Sequence, residues 1–372
     1  MDFTFDEEQE ELRRAVRRFL DDKSPESEVR RLMETEHGYD PAVWKQMAEQ
    51  LGLLGLAVPE AYGGSGYGYV ELIVVLEEMG RALLCAPYFS TVALASNLLL
   101  ATGDEAAERD YLPGIAAGTT IGAVAIAEAS GRWDEPGVTL PASLGADGWT
   151  LTGEKLYVID GHTADLVLVA ARTPAGVSVF AVDKGAPGLE ATSLMTMDQT
   201  RKQARLSFSA TPARLVGTDG GGWPALSAML DRAAVALAAE QVGGAQRVLE
   251  MAVGYAKARV QFGRPIGSFQ AIKHKCADML LEVESARSAA YYAGWAAAAE
   301  DDEELPMAAS LAKSYCSEAY FHAAADNIQI HGGIGFTWEH PAHLYFKRAK
   351  SSELLLGTPQ YHRELLAQRI GI

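Results

Sequence analysis

Hydrophobic residues recur at helical spacing through the first third of the chain. Leu12, Val16 and Phe19 fall on one face of an otherwise charged segment. Pro41 suits the first turn of a further helix, because its fixed φ and its missing N–H cost nothing there. The pattern predicts a helical domain over residues 1–118.

The pattern changes near residue 121, where short segments rich in Val, Leu and Ile are separated by Gly, Asp and Pro. Such segments are typical of strands, so we predict a central β-domain, a sheet or small barrel, over residues 119–218. After Gly220 the chain returns to long segments rich in Ala, Leu and Glu. These predict a second helical domain over residues 219–372.

Composition narrows the class of protein. The chain has 372 residues, 48% of them hydrophobic and 22% charged, which is typical of a soluble globular protein with two or three domains. Its net charge of -17 argues against binding to nucleic acid or to anionic membranes, since both need a basic surface. The three cysteines are far apart, and the acidic N-terminus does not resemble a signal peptide. We therefore expect a cytoplasmic protein without a membrane span.

Three motifs stand out: GLLGL at 52–56, YAKARVQFGRPI at 255–266 and QIHGGIGFT at 329–337. In order and spacing they resemble the signatures of the acyl-CoA dehydrogenase family. The resemblance implies an α+β fold with an N-terminal helical domain, a central β-domain and a C-terminal four-helix bundle. It also implies an oxidoreductase that uses FAD to introduce an α,β double bond into an acyl-CoA thioester. An electron-transfer flavoprotein would be its electron acceptor.

Residues in the second and third motifs have physical reasons to contact a dinucleotide. A guanidinium such as that of Arg259 pairs well with a pyrophosphate, and Phe262 offers a flat apolar face. Glycines at 332 and 333 let backbone N–H groups come close to a ligand. On their own, the arginine could lie on the surface beside a helix break and the glycines could form a turn. The resemblance implies that six residues hold the FAD of a neighbouring subunit: Arg259, Phe262, Gln270, Gln329, Gly332 and Gly333.

Histidines near the last motif are candidates for other chemistry. His331 lies inside the motif, and we interpret it as structural. His340 and His343 have the H-x-x-H spacing of some metal sites, but Pro341 lies between them and the segment reads as a loop. We predict no metal site.

The carboxylate that the family's reaction needs is missing at both of its usual positions. A base must remove a proton next to the thioester carbonyl, and the family places a glutamate for this in a Tyr-Glu-Gly-Thr motif. Here the matching stretch is LLGT at 355–358, which puts Leu356 at the base position. A minority of relatives carry the glutamate on a helix of the third domain, and that position is Ala233. We therefore predict no catalytic residue in this chain.

Residues that would face the flavin ring of the chain's own subunit also differ from the family. Ala127 and Ile159 replace hydroxyl residues, and the bulky Arg132-Trp133 replaces a Gly-Ser pair. Each lost hydrogen bond is worth about 1 kcal/mol, so flavin binding at this chain's own site should be roughly ten- to a hundredfold weaker. Two further cofactor contacts implied by the resemblance, Thr358 and Gln360, are retained.

The combination resembles the base-lacking subunit of actinobacterial heterotetrameric acyl-CoA dehydrogenases of the steroid side-chain type. It predicts a subunit that supplies FAD-binding residues to a homologous partner chain, which carries the catalytic glutamate. Two alternatives stay open. One is a self-sufficient homotetrameric dehydrogenase whose base has moved to Asp231, Glu240 or Glu353. The other is a non-redox binding protein on the same fold.

Overall fold

The computed structural model describes residues 5–299 and 303–372. Helices come first: α1 (Glu7–Lys23), α2 (Glu26–Met33), α3 (Pro41–Glu49), α4 (Tyr69–Arg81), a π-helical segment (Phe89–Ser96), α5 (Asn97–Thr102) and α6 (Glu105–Ala116). Strands follow: β1 (Gly122–Ala125), β2 (Ala142–Gly145), β3 (Gly148–Ile159), β4 (Leu166–Thr173), β5 (Gly176–Asp183), β6 (Leu189–Ser193) and β7 (Gln203–Val216). The last part holds α7 (Gly222–Ala258), the hairpin β8 (Val260–Gln261) and β9 (Arg264–Pro265), α8 (Gln270–Ala298), α9 (Leu305–His331), α10 (Ala342–Leu354) and α11 (Pro359–Arg369). This order confirms the predicted α+β class.

Local sequence explains where several helices begin. Asp6 caps α1 by accepting a hydrogen bond from the backbone N–H of Gln9 at 2.8 Å, and the Gln9 side chain bonds back to the Asp6 N–H. Asp40 caps α3 by accepting hydrogen bonds from the backbone N–H groups of Ala42 and Val43, directly before Pro41 in the first turn of the helix. The sequence prediction for 340–343 is wrong in one respect. Pro341 does not extend a loop but precedes the first turn of α10, so His343 is helical.

The described residues form two compact units, and each unit consists of separate stretches of the chain. Unit 1 comprises 5–30, 69–84 and 234–372, and unit 2 comprises 31–68 and 85–233. The domain boundaries at 118/119 and 218/219 stay predictions.

Unit 1 is built from helices in close contact. A Cβ added to Gly243 of α7 would lie 1.8 Å from the backbone oxygen of Glu77 on α4. One added to Gly80 of α4 would lie 1.9 Å from the backbone oxygen of Glu240. Only glycine fits at both contacts, so α4 and α7 touch backbone to backbone. Helices α8 and α9 run antiparallel beside each other, with α10 and α11 against α9.

Unit 2 is organised by its sheet. The strand order is β1-β4-β5-β7-β3-β2, and β6 also pairs with β7. Strands β1 and β4 are parallel and the other pairs are antiparallel. With 14 residues, β7 is long enough to pair with β5 at one end and with β3 and β6 at the other. A bridge between Pro141 and Arg172 brings the β2 end of the sheet back towards β4, which gives the sheet the curvature of a small barrel.

The π-helical segment packs against the first strand of that sheet. A Cβ on Gly122 of β1 would lie 2.6 Å from the Ala95 Cβ, and the Gly122 N–H donates to the Thr91 hydroxyl at 3.2 Å. All residues of Phe89–Ser96 are buried. The segment is therefore part of the core of unit 2.

Candidate functional site

The predicted FAD contacts of the second motif lie at an exposed hairpin in unit 1. Arg259 directly follows α7, and Phe262 occupies the turn between β8 and β9. Phe262 is 92% exposed and has a φ of 54°, a left-handed conformation that costs a non-glycine residue about 1–2 kcal/mol. Its ring meets that of Phe269 edge to face, with 6.1 Å between centroids, and Gln270 follows as the first residue of α8. A strained backbone that presents an apolar ring to solvent is typical of a contact surface.

Contacts of α7 and α8 with α9 place the third motif next to the hairpin that carries the second motif. The Tyr255 ring, one turn before Arg259, stacks on His331 with 4.2 Å between centroids. His331 Nδ1 lies 2.8 Å from the backbone oxygen of Asn327, which fixes the ring and fits the structural role predicted for it. Lys275 of α8 forms an ion pair with Asp326 of α9. The start of α8 and the end of α9 are therefore neighbours.

The glycines at the end of α9 are not explained by packing inside the chain. A Cβ added to Gly332 or Gly333 would meet no atom of residues 5–299 and 303–372 within 4 Å. Gly332 has a φ of 63°, which favours glycine, whereas Gly333 has no such backbone reason. Both face open space and leave room for a group from outside the chain. We call the surface formed by Arg259, Phe262, Gln270, Gln329, Gly332 and Gly333 the α7–α9 edge.

Thr358 and Gln360 lie elsewhere in unit 1. Thr358 caps α11, since its hydroxyl accepts the Tyr361 N–H at 3.2 Å, and Gln360 is exposed. The backbone oxygen of the preceding Gly357 bonds to Lys313 of α9 at 3.1 Å. Lys313 is sixteen residues before Gln329, which corresponds to about 24 Å along α9. The structure thus separates the eight predicted cofactor contacts into two groups.

At the predicted base position the structure has a buried hydrocarbon. Leu356 is 3% exposed and lies in a turn, residues 354–358, between α10 and α11. Ala233, the other base position, is fully buried on α7. Neither side chain can accept a proton, so neither can act as the base.

Two of the three alternative carboxylates are held by cations. Glu240 forms a buried ion pair with Arg348 at 2.9 Å. Glu353 pairs with Lys350 at 2.9 Å on the surface of α10. Asp231, the third, is itself 92% buried, with an exposed fraction of 8%. A base for proton abstraction must reach its substrate, and the pairing of Glu240 and Glu353 opposes that role.

In unit 2, the residues predicted to have lost flavin contacts form an apolar corner of the β-domain. Ala127 and Ile159 are 3% exposed each. Ala127 follows β1, and its backbone oxygen accepts the Leu156 N–H of β3 at 2.9 Å. The pairing of β3 with β7 shifts register between Lys155 and Val158, and this bulge turns Tyr157 outwards with a φ of 57°.

An ion pair holds the loop beside this corner. The Glu128 carboxylate accepts the N–H groups of Thr139 and Leu140 at 2.8 and 2.9 Å and the ammonium of Lys155 at 2.7 Å. Burial lowers the pKa of Lys155 to about 8, although the bond to Glu128 opposes the shift. Further along, Arg132 and Asp134 form a charged hydrogen-bond pair within the loop. The bulky Arg132-Trp133 stretch therefore sits in a loop that is tied at both ends.

Sequence reasoning missed the buried lysines at 155 and 313. Each is fully buried and donates to backbone oxygens: Lys155 to Ile126 at 2.9 Å, and Lys313 to Glu353 and Gly357 at 3.2 and 3.1 Å. A signal for Lys313 was available. It falls on the same helical stripe as Ala309, Cys316 and Tyr320, all buried, so its register predicts burial.

Comparison with known proteins assigns the chain to a family. The sequence model described as acyl-CoA dehydrogenase, N-terminal domain, matches residues 6–119, and that of the C-terminal domain matches residues 220–371. Acyl-CoA dehydrogenase IpdE2 of Mycolicibacterium smegmatis is 37% identical over 356 residues, which cover 95% of this chain and 96% of that protein. The chain belongs to the acyl-CoA dehydrogenase family. Members of this family are FAD-dependent oxidoreductases that act on acyl-CoA thioesters.

Solved structures of the family include two that resemble this chain over nearly its whole length. A chain of the ChsE4-ChsE5 complex from Mycobacterium tuberculosis superposes with a TM-score of 0.90 and 30% identity, covering 100% of this chain and 99% of that one. A chain of the Tcur3481-Tcur3483 steroid acyl-CoA dehydrogenase gives a TM-score of 0.87 and 34% identity, covering 98% of both chains. Each of these two structures pairs two differently named chains. No helix within 5–299 and 303–372 is long and apolar enough to cross a membrane.

Proposed function

We propose that this chain is the base-lacking subunit of a heteromeric acyl-CoA dehydrogenase and that its α7–α9 edge binds the FAD of a homologous partner chain. The observation that carries the proposal is a contrast within unit 1. The α7–α9 edge matches the family motif and is exposed, while the base position is the buried Leu356. The resemblance to chains of ChsE4-ChsE5 and of the Tcur3481-Tcur3483 steroid enzyme supports this reading.

The residues of the edge fit the phosphate and adenosine end of FAD. The exposed Arg259 guanidinium offers several N–H donors in one plane, which suits a pyrophosphate. Gly332 and Gly333 place no Cβ between the backbone and an outside ligand, although the Gly332 N–H itself bonds back to α9, and Phe262 offers a ring to pack against the ligand. Gln270 and Gln329 are exposed on the same edge and add amide donors and acceptors. When bound, FAD accepts the hydride that leaves the acyl-CoA substrate.

The flavin-ring corner of unit 2 does not fit a second FAD equally well. Ala127 and Ile159 offer no hydroxyl for a hydrogen bond, and the loop that follows Ala127 and carries the Arg132-Trp133 stretch is held by hydrogen bonds of Glu128 and Asp134. In this assembly the partner would supply the catalytic glutamate and the ring-binding residues. An acyl-CoA thioester would be its substrate, with an electron-transfer flavoprotein as electron acceptor, in the cytoplasm.

The pairing of Glu240 and Glu353 weighs against a self-sufficient enzyme with a relocated base. The open glycines weigh against a non-redox binding protein, since no contact among the described residues requires Gly333.

Flavin content tests the proposal. The chain should be purified alone and co-expressed with a homologous chain that carries the glutamate, and flavin absorbance should be compared with protein content. We expect little FAD in the isolated chain and one FAD per pair of chains in the complex. One flavin per chain in the isolated protein, with dehydrogenase turnover, would overturn the proposal.

A further inference from the structure

Lys313 has no place in the predicted chemistry, yet its ammonium is fully buried in unit 1. Removing an ammonium from water is strongly unfavourable unless other groups satisfy it. On the same face of α9, alanines, a cysteine and a tyrosine fill the helix contact. An apolar side chain would serve packing equally well at this position. The buried charge therefore calls for a specific explanation.

Three oxygen atoms surround the Lys313 ammonium. Its Nζ donates to the backbone oxygen of Glu353 at 3.2 Å, to that of Gly357 at 3.1 Å and to the Ser317 hydroxyl at 2.9 Å. Gln241 of α7 donates to the Ser317 hydroxyl at 3.0 Å and fixes its position. The two backbone oxygens lie on either side of residue 356 along the chain. One side chain thus joins both ends of the turn to the middle of α9.

The turn needs such an anchor. Leu356 has a φ of 61°, and this left-handed conformation costs a leucine about 1–2 kcal/mol. Its backbone oxygen lies 3.0 Å from His362 Nε2 of α11, which holds the turn from a second side. Because Gly357 has a φ of 106°, the chain turns sharply before the Thr358 cap. Without these bonds the turn would relax towards an unstrained backbone.

We propose that Lys313 is a positioning residue that holds the 354–358 turn, and with it residue 356, in the left-handed conformation. It acts through the backbone oxygens of Glu353 and Gly357. Lys313 thus maintains the backbone conformation at the position of the family's base, although residue 356 is a leucine in this chain. This role concerns the turn of the isolated chain, so it stands or falls independently of the proposed FAD sharing.

The anchor can work with either protonation state of the lysine. Burial lowers the pKa of Lys313 to about 7, although the charge of Glu353 opposes the shift. A neutral amine still has two N–H donors for the two backbone oxygens, and it can accept the Ser317 O–H. The ionisable groups that face it are Glu353 and Cys316, together with His362. The lysine should therefore titrate near neutral pH without releasing the turn.

Hydrogen exchange of the isolated chain tests the anchor. Lys313→Met keeps the length of the side chain but removes every donor. We expect the backbone N–H groups of Leu355 and Gly357 to exchange about ten- to a hundredfold faster, since two hydrogen bonds from a buried charged group are lost. Amides in the middle of α7 should keep their protection. The matched control is Lys350→Met, which removes the ion pair to the Glu353 side chain and the contact of the ammonium with the Phe321 ring but no bond to the backbone of the turn, and it should leave the turn unchanged.

A second measurement needs no mutation of Lys313 and remains available should Lys313→Met fail to fold. Lysines labelled with carbon-13 at Cε report their own protonation by NMR. We expect two resonances with lowered midpoints, near pH 7 for Lys313 and near pH 8 for Lys155. Leu356→Glu should raise only the Lys313 midpoint, by at least half a pH unit, through a nearby negative charge. Unchanged exchange at Leu355 and Gly357 in a folded Lys313→Met would overturn the proposal. So would a Lys313 midpoint that does not respond to the new glutamate, because a lysine bonded to the turn must sense a charge at residue 356.

Discussion

Phe262 offers a direct test of the α7–α9 edge, because its left-handed backbone favours glycine whereas FAD binding would favour its aromatic ring. In the isolated chain its ring is 92% exposed on a left-handed backbone at the hairpin turn. A residue there that served only the fold would be glycine. The substitution Phe262→Gly therefore separates what the chain needs from what a bound FAD would need.

The effect on the isolated chain follows from three terms. Glycine relieves backbone strain of about 1–2 kcal/mol. Glycine also loses the edge-to-face contact with Phe269, worth about 0.5–1.5 kcal/mol. It raises the conformational entropy of the unfolded chain, which lowers the free energy of unfolding by about 0.4–1 kcal/mol. The terms nearly cancel, so the free energy of unfolding should change by less than about 1 kcal/mol.

The effect on the complex should be much larger. A Phe ring can bury about 150 Å² against a ligand, and at about 25 cal/mol per Å² full burial contributes at most about 4 kcal/mol. With half of the ring covered, Phe262→Gly should cost about 2 kcal/mol, or roughly thirtyfold in FAD affinity. The assay is FAD release from the complex, followed by flavin fluorescence during dilution, beside a denaturation curve of the isolated chain.

Tyr157→Gly is the matched control. Tyr157 is also an aromatic residue with a left-handed backbone, at a φ of 57°, and it is 50% exposed, but it lies in the β-domain corner of unit 2. Its replacement by glycine relieves the same kind of strain and should leave FAD release from the complex unchanged. Equal FAD affinity in the complex with Phe262→Gly and in the unmodified complex would refute our reasoning about the edge.

Three further predictions concern single side chains. Arg259→Ala should lower the FAD affinity of the complex by about 1.5–3 kcal/mol while the isolated chain stays folded, whereas the exposed Arg109→Ala should change neither flavin content nor stability. Leu356→Glu should give the isolated chain no activity towards acyl-CoA thioesters with an artificial electron acceptor; strong turnover would show that only the base is missing. Burial lowers the pKa of His362 to about 3, so stability should fall as pH drops below 6.5, and this histidine alone should account for about 2 kcal/mol at pH 5. Denaturation curves from pH 7 to 5 should show a smaller decline in His362→Gln.

Much of the fold followed from the spacing of apolar residues. The change from helical spacing to short strand segments near residue 121 coincides with β1, which begins at Gly122. The return to helices after Gly220 coincides with α7, which begins at Gly222. Local pattern works here because one face of each helix or strand is buried while the loops carry Gly, Asp and Pro.

The contacts that shape the turn and the β-domain corner could not be found in this way. Lys313 bonds to backbone oxygens some 40 residues away in sequence. Every residue has a backbone oxygen, so the identity of the accepting residues does not indicate the bond. The Glu128–Lys155 pair links the loop after β1 to the middle of β3 through side-chain geometry alone. Helical register predicts that Lys313 is buried, but the backbone oxygens to which it bonds are apparent only from the structure.

The pattern of retained and replaced residues bears on why such a chain keeps its shape. Lys313 and Lys155 hold backbone in place and are present, whereas the reactive positions carry hydrocarbon at Leu356 and Ala127. Burying an ammonium in a core costs free energy, because the charge is removed from water, and well-packed apolar residues at such positions are often neutral or stabilising. A chain in which the 354–358 turn had no role would be at least as stable with an apolar residue in place of Lys313. The buried ammonium therefore favours a protein in which the conformation of this turn matters, as the proposed anchoring role requires.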